Sequence, residues 1–110
     1  MIYYQTVLNK NMYESRKTGQ FKKDVKLINR RNYDIDTLRN AMKLLEETGT
    51  LPVDKYKTHP LSGYSKKIIT WDSHLEDDWI LLWQSVESDL PEYEGVIIYV
   101  RTGTHSDLFR

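Results

Sequence analysis

His59, His74 and His105 are the three imidazoles of the chain, and all lie in its second half. Arg101 precedes His105 by four residues, and Asp78 follows His74 by four. These types suit cleavage of RNA by its own 2′-OH. Such a reaction needs a base for the 2′ proton, an acid for the leaving 5′ oxygen and a cation for the phosphoryl oxygens. Imidazole titrates near ~6.5 and can serve as either acid or base. Guanidinium carries a permanent charge and a two-pronged donor set for phosphate. An aromatic such as Phe109 can hold a splayed base by stacking, worth about 1–3 kcal/mol. The same residues could form a metal site, but no two histidines stand three to five residues apart, the usual spacing of a local ligand pair. No metal or other cofactor is therefore expected. Taken singly, each residue also has a structural reading: a hydrogen-bonded surface histidine, an ion-paired arginine, a turn aspartate, an aromatic plug.

Charge is segregated. Lys and Arg equal Asp and Glu at 16 each, so no bulk field for nucleic acid exists. Yet Lys10–Arg31 holds eight basic residues against two acids, and Trp71–Glu94 holds eight acids with no Lys or Arg. The first segment predicts a basic face able to attract phosphates, with Lys22, Lys23 and Lys26 at its centre. The second predicts an acidic rim.

The elements that must carry these residues are legible in outline. A chain of 110 residues, 39% hydrophobic, supports one compact domain with a small core. With no cysteine, disulfide scaffolds, thiol nucleophiles and Cys-based zinc sites are excluded. No apolar stretch is long enough to span a membrane. The opening MIYYQTVLNKNMYE lacks the basic start and apolar middle of a secretory signal, so a cytoplasmic protein is expected. Residues 1–11 read as an extension of unassigned role, and 12–110 as the domain. Met12–Lys17 predicts a short strand. Phe21, Val25 and Ile28 predict a helix that Asn32 closes. Asp34 or Asp36 caps a second, with Leu38, Ala41, Met42 and Leu45 as its stripe and Gly49 as its stop. A short connection makes the two helices antiparallel. Ile68–His74, Trp79–Val86 and Val96–Arg101 predict three strands, the last two as a hairpin. Runs this apolar predict strands covered on both faces. Alternation puts Arg101 on the face of Ile97 and Tyr99.

The strings HPLSG at 59–63, WDSHLEDDWILLW at 71–83 and RTGTHSDLF at 101–109, with FKKDVKLINRR at 21–31 and LP at 51–52, resemble the YafQ-type branch of the RelE/ParE toxins. The likeness runs from about Met12 to Phe109. It implies an α+β fold, with a strand and two helices followed by a curved antiparallel sheet. It also implies a ribosome-dependent endoribonuclease that cuts mRNA in the A site without a metal and is held inactive by a cognate antitoxin. By the same resemblance His105 is the general acid and Arg101 the phosphate clamp. The base is Asp78, His59 or His74, and Phe109 and Trp79 position the nucleotide. Two departures stand out. Trp71 replaces a common Arg and Asp77 a common Pro, which together with the acidic 85–95 loop should weaken phosphate attraction. The wider superfamily offers two other readings: a non-cleaving inhibitor of gyrase, and a degenerate member that retains only antitoxin binding. A full set of titrating histidines weighs against the gyrase reading.

Overall fold

A computed structural model of the chain describes residues 12–63 and 67–109. The reading of 1–11 as an extension lies outside the described residues. Strand β1 (Tyr13–Lys17) leads into helix α1 (Gly19–Arg30) and then α2 (Ile35–Thr48). The short helix α3 (Val53–Tyr56) and the two-residue strand β2 (His59–Pro60) follow. Strands β3 (Thr70–Glu76), β4 (Trp79–Val86) and β5 (Gly95–Gly103) and the one-turn helix α4 (His105–Leu108) complete the domain.

Local chemistry sets the boundaries. Thr18 caps α1 by accepting the Phe21 N–H at 3.0 Å, and its own hydroxyl donates to the Val100 carbonyl at 2.8 Å. One residue thus both starts the helix and docks it on β5. Asn32, with φ 60, turns the chain out of α1, in a left-handed conformation that Asn tolerates well. Asp34 caps α2 through the Asp36 N–H at 3.1 Å, and Gly49 ends it at φ 83. A side chain at Gly49 would also collide with the Tyr13 ring.

The sheet has the order β1-β5-β4-β3-β2. It is antiparallel from β2 to β5, as a series of reversals requires, but β1 joins β5 in parallel. The sheet is therefore mixed, because after β1 the chain crosses over through the helices and re-enters the sheet at the opposite edge, β2, before it reaches β5. Helix α1 packs on β5, and α2 against β1 and β3. Their stripes meet Trp79, Leu81, Trp83, Ile97 and Tyr99 in one core. The alternate β4 residues Ile80 and Leu82 face the other way and are also buried, so this part of the central strand is covered on both faces. The single Tyr99 O–H proton faces Glu46 at 2.6 Å, with the Met42 carbonyl also within reach at 3.1 Å. Burial, reinforced by the Glu46 carboxylate, pushes its phenol far above the usual range.

Two sequence expectations shift. Strand β3 begins at Thr70, where pairing with Gln84 starts, and Ile68 and Ile69 lie exposed ahead of it. Strand β5 carries an irregularity: Tyr99 pairs with Trp83, but Arg101 pairs with Leu82. The extra residue reverses the alternation. Arg101 therefore sits on the face opposite Tyr99 and Ile97, not on theirs.

Candidate active site

On the sheet face opposite the helices, register builds a row. His59 pairs with Asp72, Asp72 with Leu82, and Leu82 with Arg101. Directly opposed residues share a face, and His74, two residues beyond Asp72, shares it too. A β-bulge between His74 and Glu76 ends β3, and Asp77 and Asp78 turn the chain into β4. From the end of β5, α4 brings His105 alongside.

The rings form a ladder. His59 and His74 centroids are 6.3 Å apart, His74 and His105 5.7 Å, and His105 and Phe109 5.9 Å. Three histidines separated by up to 46 positions of chain thus gather in one line with an exposed phenylalanine at its end. His59 and His105 have half-exposed side chains, while His74 is mostly covered.

His105 and Arg101 are each held from behind by a carboxylate, and His59 by a main-chain carbonyl. Asp78 Oδ1 accepts two bonds from His105, the backbone N–H at 2.9 Å and ring Nδ1 at 2.8 Å. A carboxylate only accepts, so Nδ1 carries the proton and Nε2 is the open nitrogen. These bonds, the backbone one foremost, hold the Asp78 carboxyl below the usual range. Arg101 is gripped by buried Asp24 of α1, Nε to Oδ2 and Nη2 to Oδ1, both at 3.1 Å. The same Asp24 accepts the Thr102 N–H at 3.1 Å, where β5 has outrun its pairing with β1. His59 donates from Nδ1 to the Lys57 carbonyl at 2.8 Å, which the left-handed Lys57 (φ 51) turns toward it. Behind it, Thr58 bonds Ser73 at 2.7 Å and ties β2 to β3. Asp72, buried on β3, lies 3.7 Å from His59 Nε2 and 3.5 Å from His74 Nε2.

Helix α4 is too short to stand alone. Thr104 and Asp107 form a capping box, and Arg31 at the end of α1 grips Asp107 at 2.7 and 3.2 Å. The bond from Arg31 holds the Asp107 carboxyl far below its usual range. At Gly103 an added Cβ would stand 2.9 Å from the Asp107 carboxylate, so the chain before α4 passes against this clamp.

Other expected positions fall elsewhere. Trp79 is 1% exposed in the helix-side core, edge-on to Tyr33 at 5.0 Å, with its indole N–H donating to Thr102 at 2.9 Å. Its ring has no open face for a base, so its place is structural. Trp71 stacks on Trp83 at 5.9 Å, on the sheet face away from the ring ladder. Its replacement of Arg therefore removes no charge from the cleft. The acidic 87–94 loop lies at the far end of the β4–β5 hairpin, a strand length from Asp78. Asp77 remains near, lining a cavity of about 440 Å³ with Asp34, Glu76 and Asp78. Lys22, Lys23 and Lys26 are exposed on α1, outside the ring ladder. Lys22 and Lys26 rim a groove of about 510 Å³ floored by Phe21, Val25, Leu38 and Met42.

Asp24 and Asp72 escape the sequence reading. A signal for Asp24 exists: it stands three residues after Phe21 and four before Ile28, on the apolar stripe, where a carboxylate needs a partner. Asp72 alternates with His74 along one strand.

The match to a family described as "Bacterial toxin of type II toxin-antitoxin system, YafQ" spans residues 13–110. The mRNA interferase toxin YafQ of Escherichia coli strain K12 is 40% identical over 93 residues, covering 84% of this chain and 90% of that protein. The crystal structure of the E. coli DinJ–YafQ toxin–antitoxin complex contains a similar chain, 35% identical, with a TM-score of 0.73 and coverage of 90% and 99%. A metal-bound toxin from Helicobacter pylori is also similar, 31% identical, with a TM-score of 0.70 and coverage of 89% and 100%. Among the described residues here, no three His, Asp or Glu side chains are grouped to hold an ion. With its whole domain matched and its ladder built as described, the chain belongs to the YafQ family of bacterial type II toxins.

Proposed function

We propose that this chain is an endoribonuclease, the toxin of a type II toxin–antitoxin pair, which cuts mRNA on the ribosome and is neutralised by a cognate antitoxin protein. The observation that carries the reading is the ladder itself, with His105 fastened through Nδ1 to Asp78 and Nε2 left to act.

In this reading a neighbouring base takes the 2′-OH proton as that oxygen attacks the adjacent phosphorus. A 2′,3′-cyclic phosphate forms, the P–O5′ bond breaks, and His105 Nε2 supplies the proton to the departing 5′ oxygen. Asp78 orients His105 and stabilises the imidazolium, as the buried aspartate does in a hydrolase triad. That occupation takes Asp78 out of the role of base and leaves it to His59 or His74. Arg101, held by Asp24, offers fixed positive charge toward the phosphoryl oxygens. Phe109 stacks a base at the open end of the ladder. All proton transfers run on side chains.

The test compares wild type with His105→Ala. Wild type should arrest growth and produce discrete cuts within coding regions, mapped by primer extension. The variant should lose them, with a rate lower by about 10²–10⁴-fold. Arrest that survives the substitution would favour a non-cleaving toxin, and a folded wild type that causes no arrest a degenerate one.

A further inference from the structure

Asp72 is 4% exposed and lies between two imidazoles, yet its Oδ1 is buried with no hydrogen-bond partner among the described residues. An orphaned buried carboxylate oxygen is costly and calls for an explanation. From this geometry we infer that Asp72 is a positioning residue that selects His74, rather than His59, as the general base. The inference rests on the cleavage reading above and names its missing proton acceptor.

The two histidines meet Asp72 in different ways. At His59 the Lys57 carbonyl accepts from Nδ1, so that nitrogen carries the ring proton. The basic nitrogen of neutral His59 is then Nε2, and it is turned toward Asp72 Oδ2 at 3.7 Å. Acceptor faces acceptor, and the lone pair is directed at a carboxylate instead of a hydroxyl. At His74 the nitrogen facing Asp72 is again Nε2, 3.5 Å from the orphaned Oδ1. Here no main-chain carbonyl claims the other nitrogen among the described residues. A proton on Nε2 satisfies Oδ1 and leaves Nδ1 with its lone pair. Hydrogen bonds of catalytic groups are often long before substrate binds, and a small approach completes this one. When Nδ1 takes the 2′ proton, the imidazolium formed is already beside a buried anion.

The site then has mirrored halves. Asp78 holds His105 by Nδ1 and presents Nε2, whereas Asp72 holds His74 by Nε2 and presents Nδ1. The rings are neighbours, with centroids 5.7 Å apart, so one phosphodiester seated along their open edge can be reached by both acid and base.

Two measurements on the full chain test this. Long-range proton–nitrogen NMR of the histidine rings should find neutral His74 as the Nε2–H tautomer and His59 as the Nδ1–H tautomer. Asp72→Asn, whose amide can donate to Nε2, should shift His74 toward Nδ1–H. On mRNA-programmed ribosomes, Asp72→Asn should lower the single-turnover cleavage rate by 10²-fold or more while ribosome affinity stays within threefold. Added to His74→Gln it should cost less than threefold further; added to His59→Gln it should cost its full amount. A His74 Nδ1–H tautomer in the wild type, or full cost on the His74→Gln background, would overturn the inference. The wild-type tautomers and the His74→Gln comparison stand even where Asp72→Asn misfolds. A wild type that cuts no RNA would defeat the functional reading, while the ring spectra would still decide whether Asp72 orients His74.

Discussion

At the residue scale, the two aromatics expected to handle the nucleotide separate cleanly. Trp79 is enclosed, and Phe109 is 42% exposed at the end of the ring ladder. Trp79→Ala would empty a large core volume and remove the indole donor to Thr102, whose hydroxyl keeps its bond to the Ile80 carbonyl, at a cost of about 3–5 kcal/mol in stability. Phe109→Ala should change stability by no more than about 0.5 kcal/mol, as exposed substitutions do. It should instead weaken nucleotide positioning by the ~1–3 kcal/mol of a base stack. Chemical denaturation and cleavage rate, measured on both variants, give opposite patterns on this account. Equal loss of stability in both would deny Phe109 its place at the open end. The motif strings around both residues read alike in the sequence; only the fold distinguishes a ring on the core face from one past the last helix.

At the element scale, α4 is the piece that brings His105 beside His74. It has four residues and depends on the Arg31–Asp107 pair, the capping box and the Asp78–His105 bonds. Both carboxyls are held below their usual range, Asp78 by bonds from His105 and Asp107 by Arg31. A depressed carboxyl stabilises the docked state above the unfolded pKa, near ~3.9, and loses that contribution as pH falls through the folded value. Docking of α4 should therefore persist through neutral and mildly acidic pH and fail only below about pH 4, before the core melts. The His105 and Phe109 backbone amides, followed by NMR, report it; release between pH 5 and 7 would contradict the depressed carboxyls. The helices and strands were legible because their stripes and caps are local: Asn32, Asp34 and Gly49 sit where the chain must turn. The face of Arg101 was not legible. One extra residue in β5 inverts it, and that depends on pairing with β4, which no local pattern records. Asp24 was missed for the same reason, since its partner 77 positions away becomes visible only after the sheet forms, and Asp72 comes beside His59 only once β2 pairs with β3.

At the scale of the whole molecule, neutrality conceals two ends. Helix α1 turns Asp24 inward to Arg101 and exposes Lys22, Lys23 and Lys26 outward. Half of the acids of the Trp71–Glu94 segment, Glu87, Asp89, Glu92 and Glu94, lie beyond Val86, at the far end of the β4–β5 hairpin from the ring ladder. A body so divided meets a polyanion with its basic face first, because repulsion turns the acidic loop away. In the proposed docking on the ribosome the three lysines would release counterions as they meet phosphates, so affinity should fall steeply with salt. Reversing all three to Glu should lower that affinity and flatten the log–log salt dependence by about 2–3 units, near 0.7–0.9 for each phosphate no longer neutralised. None of the three touches the ladder, so the cutting rate at saturating ribosome should stay within a few-fold of wild type. Binding isotherms at several salt concentrations, paired with single-turnover cleavage at saturation, separate the two quantities. An unchanged salt slope would make the lysines a solvated helix face and leave ribosome attraction to other basic residues. A collapsed cutting rate at saturation would mean that α1 transmits its surface charge through Asp24 to Arg101, joining the docking face and the chemistry in one element.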